Sequence, residues 1–169
     1  MLKTDLLVIG GSAGGILAAT MARKAYGNID ITLIRETKTV MVPCGIPYIF
    51  GTLHDTKKNM IPDAGLLEAN IHLMIDRAVE IDRKEKVVMT HENGPVSYKK
   101  LIIATGSLPI IPTFIEGYDL DNVFPVKKNE DYLNHILEKL ETAQNVAVIG
   151  GGFIGVEFAE QIRALGKEV

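Results

Sequence analysis

The sequence predicts an α/β fold built on two Rossmann-like starts, and three observations carry that prediction. First, DLLVIGGSAGGILAATMARKA, beginning at Asp5, runs from a short apolar stretch through a glycine turn into an alanine-rich helical segment. Second, the same order returns in NVAVIGGGFIGVEFAEQIRALGKEV at the end of the chain. Aligning Gly10-Gly11-Ser12-Ala13-Gly14-Gly15 with Gly150-Gly151-Gly152-Phe153-Ile154-Gly155 matches the first and third motif glycines of each. Third, the residues between them fall into short apolar runs of strand length separated by turn signals.

Taken in order, the first apolar run is a buried strand, the segment after the glycines a helix, and IDITLIRE a second parallel strand, which makes residues 1–36 a β-α-β unit. Pro62 opens a short helical stretch, PDAGLLEAN. IHLMI, AVEID, KVVMT and, past an Asn93-Gly94 turn, VSY read as short strands of a hairpin or meander. LIIATGS is a further buried strand ending in a small-residue turn, and LPIIPTFIEGY, with two prolines and no helical period, is a linker. Asn129 is a helix cap followed by Glu130 and Asp131, and Leu133, Ile136, Leu137 and Leu140 repeat at helical spacing. NVAVI is the strand that enters the second glycine turn.

Composition narrows the function. The 169 residues are 47% hydrophobic and 23% charged with a net charge of −3, the profile of a soluble α/β protein whose partners are small molecules rather than nucleic acid or a membrane face. A single cysteine excludes an internal disulfide, a Cys-x-x-Cys pair and a cysteine zinc cage, and points to a cytoplasmic setting. His54, His72, His91 and His135 show no ligand spacing, so no metal site is expected.

The first glycine turn lets backbone approach a pyrophosphate at a helix N-terminus, where unpaired N–H groups and the helix dipole favour negative charge. Glu36 ends the second strand about 20 residues further on, where an acid is needed for ribose hydroxyls. Ser12 stands where a middle glycine is usual. The second turn, Gly150, Gly152 and Gly155, meets the full G-x-G-x-x-G pattern. On the bland reading Phe153 is plain core and Glu157 a surface residue. The lone Cys44, in V-P-C-G-I-P-Y, follows closely after Glu36. A free cysteine is commonly an inert, buried small residue, but Gly45 permits close backbone approach, and Pro47 suits the first turn of a helix beginning just after the thiol, a place that favours a thiolate.

Together VIGGSAGG, Glu36, PCGIPYIFG, LIIATGSLP and VIGGGFIGVEFAEQIRALG resemble the single-cysteine class of FAD-dependent pyridine nucleotide-disulfide oxidoreductases, which holds coenzyme A disulfide reductases, NADH oxidases, NADH peroxidases and persulfide reductases. The resemblance implies residues 1–112 as the N-terminal part of a FAD-binding domain and residues 113–169 as a linker and the truncated start of an NAD(P)H-binding domain. It implies that Gly10, Ser12, Ala13, Gly14 and Gly15 hold the FAD pyrophosphate, that Glu36 holds its ribose, and that Pro43 and Cys44 lie against the flavin. The backbone at Ala78 and Val79 meets the adenine, and Ala104-Thr105-Gly106 pass beneath the cofactor. Gly150, Gly152, Phe153, Ile154, Gly155 and Glu157 belong to the NADH or NADPH side. Arg23 and Lys24 are candidates for coenzyme A phosphates, or simply a solvated helix end.

The implied activity takes electrons from NAD(P)H through FAD to Cys44, and on to a small disulfide or persulfide, or to oxygen or peroxide. The chain then reads as the N-terminal piece of a longer homodimeric enzyme, inactive by itself. An electron-transfer reductase with an inert Cys44, such as one serving rubredoxin, and a non-catalytic nucleotide-binding fragment are the alternatives.

Overall fold

A computed structural model describes residues 1–169. In chain order the elements are β1 (Leu2–Ile9), α1 (Ala13–Tyr26), β2 (Ile31–Arg35), a 3-10 turn (Pro43–Gly45), α2 (Ile46–Tyr48) running into a π-helical turn (Ile49–Leu53), and a second 3-10 turn (Thr56–Asn59). Then follow α3 (Ala64–Glu68), β3 (His72–Ile75), β4 (Ala78–Asp82), β5 (Val87–Thr90), β6 (Pro95–Ile103), α4 (Glu130–Thr142) and α5 (Phe153–Ala164). These elements form two compact units, one of Met1–Val40 with Ile61–Gly106 and one of Met41–Met60 with Ser107–Val169. The expected boundary at residue 112 divides the chain differently. Residues 41–60 pack with the C-terminal stretch because Ile46, Ile49 and Phe50 bury against α4 and α5.

The first unit is a six-stranded sheet in the order β3-β2-β1-β6-β5-β4. β3, β2, β1 and β6 run parallel, and β5 and β4 continue antiparallel. The side-chain period of two splits the apolar run of β1 between two cores. Leu6 and Val8 join Leu33, Ala19 and Ala22 on the face covered by α1, while Leu7 and Ile9 join Ile34, Val88 and Val96 on the other. All five residues of β2 are buried, Ile31, Leu33 and Ile34 in the two cores and Thr32 and Arg35 as buried polar residues beside them. The expected strands VSY and LIIATGS are one nine-residue strand, β6. Lys99 and Lys100 break its apolar pattern, yet it pairs with β1 in one register on both sides of Lys99, from Val96 to Tyr98 and from Lys100 to Ile103, and the Lys99 side chain pairs outward with Asp5.

Asp76 ties the β3–β4 link to the turn between β5 and β6. Its buried carboxylate accepts from the Arg77 N–H at 2.7 Å, the Asn93 N–H at 2.8 Å, Asn93 Nδ2 at 2.7 Å and, more loosely, the Glu92 N–H at 3.2 Å. Burial pushes this carboxyl up, but the hydrogen bonds from Asn93, Thr90 and Arg77 outweigh it and hold the group well below the usual carboxylate range.

In the second unit Asn129 caps α4 as its sequence position suggests, its Oδ1 accepting the Tyr132 N–H at 2.9 Å. Leu133 and Leu140 are buried with Met41, Ile46, Ile49, Phe50, Phe158 and Ile162, and Ile136 and Leu137 flank them. The Phe50 and Phe158 rings sit 5.1 Å apart, tilted by 48°. Residues 104–129 carry no helix or strand, matching the linker reading. NVAVI, expected as a strand, has no ladder. A single parallel bridge joins Asn145 to Glu168, with the Val146 N–H donating to the Glu168 carbonyl at 2.8 Å. Strand pairing needs a neighbour, and this segment has none beyond that bridge; Val146 and Val148 instead rest on the core of the unit.

Candidate functional site

The first glycine turn joins β1 to α1 in the first unit. Gly10 has φ of 109°, a conformation that side chains with a Cβ rarely adopt, and a Cβ there would lie 2.1 Å from the Ala104 carbonyl oxygen. The ends of β1 and β6 thus converge at the turn, with the Ala104 N–H donating to the Ile9 carbonyl at 2.7 Å. Gly15 lets α1 start hard against the loop, since a Cβ there would meet the Gly10 carbonyl oxygen at 1.7 Å. Gly14 has nothing within 4 Å of its missing Cβ, so one side of the helix start is open. The first helical bond runs from the Ile16 N–H to the Ser12 carbonyl at 2.9 Å, and the N–H groups of Ala13, Gly14 and Gly15 have no partner within the helix. Ser12 sits at φ of −94°, so this position needs no glycine.

The second turn repeats this geometry in the second unit. Gly150 has φ of 117°, a Cβ on Gly155 would lie 1.8 Å from the Gly150 carbonyl oxygen, and the Val156 N–H donates to the Gly152 carbonyl at 3.0 Å. Even the contact behind the third glycine recurs: Val8 Cγ1 lies 3.5 Å from the Gly15 Cβ position and Val148 Cγ1 lies 3.6 Å from that of Gly155. Two turns in separate units that share this backbone are two dinucleotide cradles in shape, with close approach, an open helix start and unpaired N–H groups. Phe153 and Ile154 are exposed on the second, and Glu157 is half-buried.

Glu36, directly after β2, has a largely exposed carboxylate, with Arg77 as a loose neighbour at 3.8 Å. Ala78 and Val79 directly follow Arg77, the neighbour of Glu36, at a register shift in the β4–β5 pairing. Thr105 and Gly106 continue from Ala104, Gly106 at φ of 73°.

Cys44 lies in the second unit, in the 3-10 turn Pro43–Gly45 that leads into α2, with Pro47 in the first turn of that helix. The thiol is exposed, which sets it apart from the buried cysteine of the bland reading.

A sequence profile described as pyridine nucleotide-disulphide oxidoreductase matches residues 4–169. The chain belongs to this family. It is 33% identical to an NAD(P)H coenzyme A polysulfide/persulfide reductase of Pyrococcus horikoshii, a match covering 99% of this chain and 39% of that protein. An NADH oxidase of Methanocaldococcus jannaschii is also 33% identical, over 96% of this chain and 38% of its own length. Among solved structures, an NAD-dependent persulfide reductase from A. fulgidus superposes with a TM-score of 0.85 at 34% identity, covering 98% of this chain and 33% of that one. The chain therefore spans about two fifths of the curated relatives it matches. Pyridine nucleotide-disulphide oxidoreductases use FAD and NAD(P)H, and the donor set here, two glycine cradles and an acid after the second strand, suits two dinucleotides.

Within this family fold, Arg23 does not present a free charge. Its guanidinium donates to the carbonyls of Ala69 (2.8 Å), Gly27 (2.6 Å), Ile29 (2.7 Å) and Asn70 (2.8 Å), clasping the end of α1 to the segment after α3. Lys24 beside it is exposed.

Sequence reasoning passed over Arg35. Its side chain is buried and runs under Gly11, where a Cβ would come within 2.5 Å of Arg35 Cδ. It forms a bidentate pair with Asp63 at 2.6 and 2.7 Å and donates to the carbonyls of Thr37 and Lys38, fixing the chain that follows Glu36. A charged residue ending an otherwise apolar strand, with a glycine outside the motif positions opposite it, was the available signal.

Proposed function

We propose that this protein is an NAD(P)H-dependent flavoprotein in which Cys44 is the redox thiol that cleaves a small disulfide or a persulfide. The observation that carries the reading is the exposed position of the chain's single cysteine in the 3-10 turn Pro43–Gly45, whose backbone is hydrogen-bonded at Val42 and Gly45. The names of the Pyrococcus and A. fulgidus relatives support the substrate class. The Gly10–Gly15 turn with Glu36 would hold FAD, and the Gly150–Gly155 turn would hold NADH or NADPH. FAD, when bound, supplies acceptance of hydride from the nicotinamide and return of the electron pair to sulfur.

The chain's own part is sulfur exchange. The Cys44 thiolate attacks one sulfur of R–S–S–R, the S–S bond breaks, and RS⁻ leaves and takes a proton. Cys44 is left in a mixed disulfide with R. Two electrons and one proton then return the thiolate and release the second RSH. With a persulfide, R–S–SH, attack on the outer sulfur releases RS⁻ and leaves a persulfide on Cys44, which two electrons convert to thiolate and HS⁻. In this scheme Cys44 carries the oxidised state together with substrate-derived sulfur, as a mixed disulfide or a persulfide.

The test uses the full-length flavoprotein and its Cys44→Ser variant. Each is reduced anaerobically with NADH and with NADPH, long-wavelength absorption is recorded, and coenzyme A disulfide, polysulfide, peroxide and oxygen are offered in turn. Loss of the long-wavelength band and of disulfide turnover in the variant is the expected result. Unchanged disulfide turnover would refute the reading, and turnover confined to peroxide or oxygen would move the acceptor to the oxidase class represented by the Methanocaldococcus relative.

A further inference from the structure

We propose that Asn59 is the positioning residue of the Cys44 turn. The inference rests on Cys44 being the redox thiol and adds what sets its direction. Asn59 is 4% exposed and ends the 3-10 turn Thr56–Asn59. It grips the Cys44 turn on both sides of the thiol. On one side the Val42 N–H donates to the Asn59 carbonyl at 2.8 Å, while Asn59 Nδ2 donates to the Val42 carbonyl at 3.0 Å. That same Val42 carbonyl closes the turn by accepting the Gly45 N–H at 3.1 Å. On the other side Asn59 Oδ1 sits where any side chain on Gly45 would have to be, 2.0 Å from the position of its Cβ.

The far end of the grip is anchored. Thr56, buried, bonds Asn134 on α4 at 3.0 Å, Asp55 accepts the Lys57 N–H at 2.9 Å, and Met41 bridges Met60. A buried amide is costly unless hydrogen-bonded, and an apolar side chain would fill the same space. What the amide adds is purchase on Val42 and a fit to Gly45, so the Cα–Cβ direction of Cys44 is fixed while its sulfur stays exposed. A reaction that needs in-line approach to a sulfur loses rate when its nucleophile wanders.

Asn59→Ala and Asn59→Asp test this in the full-length flavoprotein. The aspartate keeps the shape but turns an oxygen toward the Val42 carbonyl. Both are expected to lower kcat for disulfide reduction about tenfold, the worth of roughly one lost hydrogen bond, with KM for NAD(P)H and flavin content unchanged. Iodoacetamide alkylation of Cys44, followed by peptide mass, is expected to change rate at least about threefold in the same variants. Gly45→Ala attacks the contact from the other side, leaves Asn59 in place, and provides the reading if an Asn59 variant does not fold. Since the methyl group that Gly45→Ala adds fits the space that Asn59→Ala vacates, the double variant is expected to be no slower than Asn59→Ala alone.

Wild-type kcat and alkylation rates in Asn59→Ala, Asn59→Asp and Gly45→Ala would overturn the inference, as would a lowered melting temperature with kcat unchanged. A Cys44→Ser protein that still turns over disulfide would sink the functional reading instead, and the alkylation rates would then judge the grip of Asn59 independently.

Discussion

Replacing Asp76 by asparagine isolates the anchor between the β3–β4 link and the β5–β6 turn. One carboxylate oxygen takes the Arg77 N–H, and the other takes both the Asn93 N–H and Asn93 Nδ2, at 2.7 to 2.8 Å. An asparagine keeps one acceptor but turns an NH2 toward the two Asn93 donors, so about two charge-assisted bonds are lost and a donor faces donors. At roughly 1.5–3 kcal/mol for each hydrogen bond to a charged group, the expected loss at pH 7 is about 3–6 kcal/mol. That is a large share of the ~5–15 kcal/mol that holds a domain together.

The pH dependence has a definite sign. The folded carboxyl lies well below the ordinary range, so its contribution is complete above the unfolded value near 3.9 and fades as pH falls through and below it. At pH 3 the folded carboxylate is still ionised while most of the unfolded carboxyl is protonated, so the gap between wild type and variant is expected to narrow by ~1.3 kcal/mol. Urea unfolding followed by far-ultraviolet circular dichroism at pH 7 and pH 3 measures both quantities. A variant within about 1 kcal/mol of wild type at pH 7, or a gap that does not narrow with acid, would refute the reasoning.

Gly15→Ala forces a Cβ into the Gly10 carbonyl and is expected to cost about 3 kcal/mol and release bound flavin from the full-length protein, whereas Gly14→Ala meets nothing and is expected to leave stability unchanged or raise it by roughly 0.5–1 kcal/mol. Urea midpoints together with flavin absorbance of the purified proteins check the pair; a destabilised Gly14→Ala beside an unaffected Gly15→Ala would reverse the assignment of the open side. Tyr132 has a buried hydroxyl without a hydrogen-bond partner beneath Lys127, whose ammonium lies 4.8 Å from the ring centre, and burial pushes its phenol up. Tyr132→Phe is therefore expected to be at least as stable as wild type, by up to about 1 kcal/mol, and to abolish the fall in stability that wild type shows as pH climbs past about 10; a clearly lower melting temperature at neutral pH would count against it.

The glycine turns were legible because their constraint is local. A positive φ at Gly10 and Gly150, and a helix start pressed onto a carbonyl at Gly15 and Gly155, are demands of a few adjoining residues that only glycine meets, so the motif carries its own geometry. The same holds for the α4 cap at Asn129 and for the alternation that divides β1 between two cores. Ser12 lost its significance as a departure once its negative φ was visible. By itself, then, the sequence determined the α/β class and two glycine turns of the same backbone shape, with a single cysteine between them in chain order.

What the tertiary structure alone decided are pairings between segments distant in the chain. VSY and LIIATGS are one strand because β1 bridges the lysines between them, and NVAVI is not a ladder strand because pairing depends on a neighbour that no local pattern supplies. Arg35 beneath Gly11, Asp76 under the Asn93 turn, and Asn59 against Gly45 all look in the sequence like ordinary polar residues. Their burial is tolerable because groups distant in the chain meet their hydrogen bonds, the Asp63 carboxylate for Arg35, the Asn93 N–H and side-chain amide for Asp76 and the Val42 carbonyl for Asn59, and those pairings are settled when the chain packs, not before.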